Sequence, residues 1–159
     1  MNASVIIRPY RPEDLAVLQR ITIEAFGSVS LDSLLEARFG TWCEQDWRVR
    51  KAEQIADDCA VNPAGVFVAE LAGGIVGFIT TRVDAPSRKG RIPNLAVSEQ
   101  ARGSGLGRRL VEHALSHLRA TGMKIAQIET MANNPVGQHL YPSCGFEEIT
   151  RQVHYAMEL

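Results

Sequence analysis

Residues 100–115, "QARGSGLGRRLVEHAL", hold three glycines and three arginines where an amphipathic helix begins. Glycine inside a helix costs roughly 0.5–1 kcal/mol against alanine. Gly103, Gly105 and Gly107 at alternate positions therefore need a reason. A helix N-terminus exposes unpaired N–H groups and a partial positive charge. Glycines let a backbone approach a ligand closely, and the combination makes a phosphate cradle. Arg102, Arg108 and Arg109 add local positive charge. The plain alternative is a flexible turn with incidental glycines. A P-loop is excluded, because Arg108 and Arg109 follow Gly107 where lysine and a hydroxyl residue are required. A dinucleotide-binding turn requires GxGxxG near the start of a βαβ unit. The spacing here is GxGxG, two-thirds along the chain, yet Glu129 lies roughly 20–25 residues on, which keeps that reading open.

Other reactive side chains carry weaker signals. His113 and His117 are spaced i, i+4, as zinc ligands can be, but no HExxH or partner cysteine accompanies them. They fall off the apolar face, so a solvated surface is the simpler reading, and no metal site is expected. Cys144 reads as a turn or buried cysteine. Glu24, Glu70, Glu99 and Glu129 are candidate bases by residue type alone, with water as an equal alternative. Trp42 and Trp47 read either as core packing or as an aromatic wall.

The elements that position these residues follow from periodicity. "SVIIRPY" reads as a strand over about 4–9, followed by a helix through Leu15, Leu18, Ile21 and Phe26 that Gly27 ends. Residues 30–60 read as broken helix: one piece closed by Gly40, another over "CEQDWRVRKAEQIADDCA". From residue 65, "GVFVAELAGGIVGFITTRVD" gives two strands joined by a hairpin at "AGG". "RIPNLAVSE" is the next strand, and its internal Pro93 predicts a bulge or an edge break. Leu106, Leu110, Ala114 and Leu118, with Val111 and Leu115 beside them, give the following helix a broad apolar face, capped at Gly122. "IAQIETM" is a strand, Pro135 to about Tyr141 a short helix, and "EEITRQVHYAMEL" one or two closing strands. This order predicts an α/β (α+β) domain with a mixed sheet.

Composition narrows the classes. The 159 residues suit one domain spanning 1–159. The 45% hydrophobic and 22% charged content is that of an ordinary soluble chain, and a net charge of −1 favours neither nucleic acid nor an anionic membrane. No run approaches the roughly 20 apolar residues of a spanning helix. Three cysteines without a CxxC pair fit a reducing, cytoplasmic setting.

"LAVSEQARGSGLGRRLVEHAL" resembles the acetyl-CoA-binding segment of the GNAT superfamily of N-acetyltransferases, with Arg102, Gly105 and Gly107 on its Arg/Gln-x-x-Gly-x-Gly/Ala pattern. "IETMANNPVGQHLYPSCGF" is similar to the family's downstream segment at Asn134, Leu140, Tyr141, Gly145 and Phe146. Together the two segments cover residues 92–146. Gly137 departs from the family's usual alanine, which predicts a looser short helix, and Pro142 predicts that this helix ends at Tyr141. The resemblance implies a mostly antiparallel central sheet flanked by helices and splayed between its fourth and fifth strands. It implies direct transfer of an acetyl group from acetyl-CoA, the cosubstrate, to a small-molecule or peptide amine in a ternary complex. The pyrophosphate would lie on Arg102, Gly103, Ser104, Gly105, Leu106, Gly107 and Arg108, with Lys89, Arg91 or Arg109 as further phosphate contacts. The cofactor's arm would pair with the strand at Leu95, Ala96 and Val97, where a backbone N–H stabilises the oxyanion. Asn134 and Gly137 would lie on its other side. Tyr141 falls on the place of the general acid: a phenol of pKa about 10 stays protonated at neutral pH. Its alternative is packing against Phe146. A homodimer is compatible with the family. The functional alternative is a CoA-binding sensor with little turnover.

Overall fold

The computed structural model describes residues 4–27 and 29–159. Five strands form one sheet in the order β1-β2-β3-β4-β5: β1 (Ile6–Pro9), β2 (Val66–Leu71), β3 (Gly74–Asp84), β4 (Lys89–Val97) and β5 (Ile125–Ile128). The first three pairings are antiparallel and β4–β5 is parallel. That parallel step requires a crossover, which helix α4 (Leu106–Ala120) provides. Helices α1 (Leu15–Phe26), α2 (Leu31–Phe39) and α3 (Trp47–Val61) lie between β1 and β2, and α5 (Pro135–Ser143) follows β5.

Strand alternation builds two cores. Val66 and Val68 of β2 face α1 and α3, joining Leu18, Ile21, Ile55, Cys59 and Phe78. Phe67 and Ala69 of the same strand face α4, joining Ile79, Leu106, Leu110, Val111, Ala114 and Leu118. The α4 stripe is the one its four-residue spacing predicts. Arg8 of β1 forks onto both oxygens of buried Asp14 at 2.8 and 3.0 Å and also reaches Glu70 at 2.8 Å, fixing the entry to α1 against β2.

Three expectations change. His113 and His117 are not freely solvated: their rings stand edge-on to Phe67 at 4.4 and 5.1 Å between centroids. Burial pulls both imidazoles below their ordinary pKa. Gly27 follows the last residue of α1, as its place in the sequence predicts. It stays right-handed, and the Trp47 ring packs on it. The third helix starts at Trp47 rather than Cys43, because Asp46 caps it by accepting from the N–H groups of Arg48 and Val49. Residues 147–159 form no strand and are all exposed. A strand needs a neighbouring edge to satisfy its backbone, and this segment meets none among the described residues.

The β2–β3 hairpin turns on Ala72 and Gly73, at φ 51° and 82°. Two left-handed residues are the type I′ turn that matches strand twist. Alanine is strained there. Ala72→Asn is expected to raise stability by up to about 1 kcal/mol, read as a higher urea midpoint at unchanged m-value.

Candidate active site

The site begins where β4 and β5 part. Their pairing runs from Lys89↔Ile125 to Ile92↔Ile128 and stops there. The next residue of β4 is Pro93, which has no N–H to continue a ladder. Against β3 the register advances three residues on β4, from Arg91 to Asn94, but only two on β3, from Thr80 to Arg82. That extra residue is the bulge the proline predicts. Beyond it, the N–H of Ser98 bonds to the carbonyl of Val76 at 2.9 Å, and that of Asn94 bonds to Thr80 Oγ1 at 3.1 Å. Alternation therefore aims the N–H and C=O groups of Leu95 and Val97 at the unpaired edge of β4. Ala96 points its backbone groups into the β3 ladder, opposite Phe78.

Next along the chain is the glycine turn. Gly103 and Gly105 have φ of 73° and 79°, which a side chain would strain. The first helical bond of α4 is from Arg109 N to Gly105 O, and Arg102 N is spent on Glu99 O. The six N–H groups from Gly103 to Arg108 thus bond to no described residue. They lie at the positive end of a 15-residue helix, where an anion is favoured. Ser104 Oγ donates to Ala101 O at 2.6 Å, which stiffens the turn.

The arginines divide their work. Arg108 does not face the nest as a loose charge. It donates to the carbonyl and the hydroxyl of Ser143 at 2.8 and 2.9 Å, tying the start of α4 to the end of α5. Arg109 reaches Val5 O at 3.0 Å, and Arg91 pairs with Glu129 at 2.6 Å. Arg102 makes only a long 3.4 Å bond to Val97 O, so its guanidinium tip remains for a ligand.

Helix α5 carries the opposite wall. Asn134 caps it, accepting from Gly137 N at 3.3 Å, while its amide donates to Thr130 Oγ1 at 3.0 Å. Gly137 is buried, and a β-carbon there would meet Thr130 Oγ1 at 2.5 Å. The glycine thus admits close contact rather than loosening the helix. Gly107 serves the same end on α4, where a β-carbon would lie 3.3 Å from Leu140. The helix does not stop at Tyr141 but runs through Pro142 to Ser143. Proline is tolerated because only the last turn remains, and Cys144 N still reaches Leu140 O at 3.1 Å. Tyr141 is half-buried, edge-on to Phe146 with ring centroids 6.2 Å apart. Burial first, and Cys144 second, push its phenol up to about 12.

A buried polar group escaped the sequence reading. Asn94 Nδ2 donates to Asp58 Oδ2 of α3 at 2.6 Å and to Thr80 Oγ1 at 3.0 Å, and Arg82 pairs with the other Asp58 oxygen. Among the described residues, Arg82 Nε has no hydrogen-bond partner although it is buried. Asp58 lies 36 residues from Asn94, so no local motif could join them. Among the candidate bases, Glu70 is held by Arg8, and Glu24 accepts from the N–H of Glu99 at 2.7 Å. Glu129, itself paired with Arg91 at 2.6 Å, lies at the fork, one residue past the last β4–β5 pair.

The Acetyltransferase (GNAT) family model matches residues 29–146. The chain belongs to the GNAT acetyltransferase family. The mycothiol acetyltransferase of Thermobispora bispora is 36% identical over 121 residues, covering 73% of this chain and 39% of that protein. The mycothiol acetyltransferase of Streptomyces bingchenggensis is 32% identical over 161 residues, covering 97% of this chain and 46% of that protein. The chain spans less than half the length of these relatives. The GNAT fold is shared with PH1933 of Pyrococcus horikoshii, at a TM-score of 0.76 and 22% identity over 94% of this chain and 93% of that one. It is shared too with the PaiA N-acetyltransferase of Thermoplasma acidophilum in complex with coenzyme A, at 0.71 and 18% over 91% and 90%. Among the described residues no helix is long and apolar enough to cross a membrane.

Gly137→Ala is expected to destabilise this GNAT chain by about 1–3 kcal/mol, as overpacking does. Urea unfolding followed by circular dichroism measures it, and Thr130→Ser, which removes the methyl but keeps the hydroxyl, should not repair it.

Proposed function

We propose that this chain transfers the acetyl group of acetyl-CoA to a primary amine by direct attack, with all 159 residues acting as one cytoplasmic domain. The observation that carries the proposal is the run of six unpartnered N–H groups from Gly103 to Arg108, beside the open edge of β4. Bound there, acetyl-CoA supplies an activated thioester. The turn from Gly103 to Arg108 holds its pyrophosphate, and Arg102 adds a charge-assisted contact. The N–H groups of Leu95 and Val97 pair with the extended arm and polarise the thioester carbonyl. Asn134 and Gly137 line the far side.

The amine nitrogen forms a bond to the carbonyl carbon, and the carbon–sulfur bond breaks. Glu129 takes the proton the amine loses, directly or through water. Tyr141 faces the sulfur as negative charge develops. An alkyl thiol such as that of cysteine titrates near 8.5, so a phenol at about 12 is too weak an acid to protonate the thiolate outright. Tyr141 instead donates a hydrogen bond to it and stays neutral at every physiological pH. The relatives' name places mycothiol chemistry in the acceptor screen alongside polyamines, amino acids and peptide N-termini.

Calorimetric titration with acetyl-CoA tests the cradle, with NADH as control. Gly103→Ala together with Gly105→Ala is expected to weaken binding at least tenfold, about 1.4 kcal/mol; no binding to the intact chain would overturn the assignment and return the glycines to a turn. Tyr141→Phe, which removes one donor to the developing charge, is expected to lower kcat by about 10²-fold with little change in acetyl-CoA affinity. Because the acid form is the active one and its pKa is raised, activity should show no alkaline loss from Tyr141 below about pH 11. An alkaline limb near 9–10 that disappears in Tyr141→Phe would contradict the buried phenol.

A further inference from the structure

The face of the sheet turned toward α3 is covered only in part, and its β4–β5 end is exposed at Lys89, Arg91, Gln127 and Glu129. Residues paired across β3 and β4 meet on that face in steps of two. Phe78 and Ala96 are buried in the core with α1 and α3. Thr80 and Asn94 come next, buried and bonded to each other. Asp84 and Lys89, at the far end, are opposite in charge. Between these pairs stand Arg82 and Arg91, two guanidinium side chains on directly facing residues. Like charges in that position are destabilising.

The acids nearby draw the two arginines apart rather than joining them. Asp58 of α3 takes one nitrogen of Arg82, and Glu129, past the end of β5, takes one of Arg91 at 2.6 Å. The second oxygen of Asp58 is spent on Asn94. Among the described residues, the buried Nε of Arg82 has no acceptor at all. A buried donor left unpaired costs free energy. An anion set between the two guanidinium groups would supply acceptors to both and cancel their repulsion.

This pair stands next to the fork. Arg91 precedes the last β4–β5 pair by one residue, and Glu129 follows it by one. Six residues of β4 separate Arg91 from Val97, roughly 20 Å of strand, and the glycine turn lies beyond that. A pyrophosphate held in the turn is out of its reach.

We propose that the acceptor amine also carries an anion, a carboxylate or a phosphate ester, which Arg82 and Arg91 hold on the uncovered sheet face while the amine meets Glu129. The proposal rests on the acetyl-transfer reading and names its substrate class. Because Glu129 is bonded to Arg91, the two charged ends of the acceptor lie only a few bonds apart. A short amino acid or an aminoalkyl phosphate has that span. A polyamine would set ammonium groups against the arginines, and the site selects against it.

Calorimetry with acetyl-CoA comes first and separates the two readings: a chain that does not bind it fails as an acetyltransferase, and this proposal falls with that reading. Release of CoA is then followed with 4-aminobutyrate against butylamine and putrescine, and with O-phosphoethanolamine against ethanolamine. For at least one anionic probe, kcat/KM is expected to exceed that of its uncharged counterpart by about tenfold or more, and the two arms show which anion the site takes. Arg82→Gln should cut the ratio to within about threefold through KM rather than kcat, and Arg82→Lys should keep more of it than Arg82→Gln does. The preference of the intact chain should also shrink as sodium chloride is raised, a readout that needs no variant to fold. Acetyl-CoA binding without turnover of either anionic probe would overturn the proposal and leave the cofactor site standing. So would rates with butylamine or putrescine that equal or exceed those of 4-aminobutyrate with no phosphate preference beside them, a preference indifferent to salt, or a folded Arg82→Gln chain that retains it.

Discussion

Pro93 is the residue on which the rest of the site depends. A proline inside a strand removes one ladder donor, and here the parallel pairing of β4 with β5 ends at the residue before it. Had the pairing continued, Leu95 and Val97 would spend their N–H groups on β5, and no edge would remain for an extended ligand. The gap between the two strands is therefore a backbone property. It follows from one missing hydrogen rather than from any side chain that touches a substrate.

An interruption of that kind needs support. The bulge turns β4 so that Ile92 faces the α4 core while Asn94 faces the α3 side. Thr80 replaces the lost regular contact by accepting from both the backbone and the side chain of Asn94. Asp58 then anchors the same amide from α3. Buried polar groups of this sort are costly when incomplete, so the helix and the two strands are held in one arrangement. The cradle rests on a different device, two left-handed glycines within a run of six donors that bond to no described residue.

Much of this was legible in the sequence. The bulge could be read from Pro93, the α4 core face from its four-residue spacing, and the nest from alternate glycines ahead of that face. What was not legible depended on distance or on packing. Asp58 meets Asn94 only after three strands have formed between α3 and the fork. The histidines of α4 lie off its most apolar line, yet the Phe67 ring of β2 reaches them. Gly137 read as a weak point because local propensity penalises glycine, whereas Thr130 leaves no room for anything larger. The arginines showed charge but not direction: Arg108 is committed to Ser143, and Arg102 is not.

The Arg108–Ser143 tie joins two walls that the chain otherwise builds separately. The guanidinium springs from the first turn of α4, whose amides form the nest, and grips the last turn of α5, which carries Tyr141. The two helix ends are therefore bonded directly to each other. The helix that carries the phenol is thus bonded to the helix that follows the glycine turn, across thirty-five residues of sequence. The grip is made through a backbone carbonyl as well as a hydroxyl, so it would outlast the loss of the serine side chain. The two walls are fastened to each other rather than standing as two independent lips.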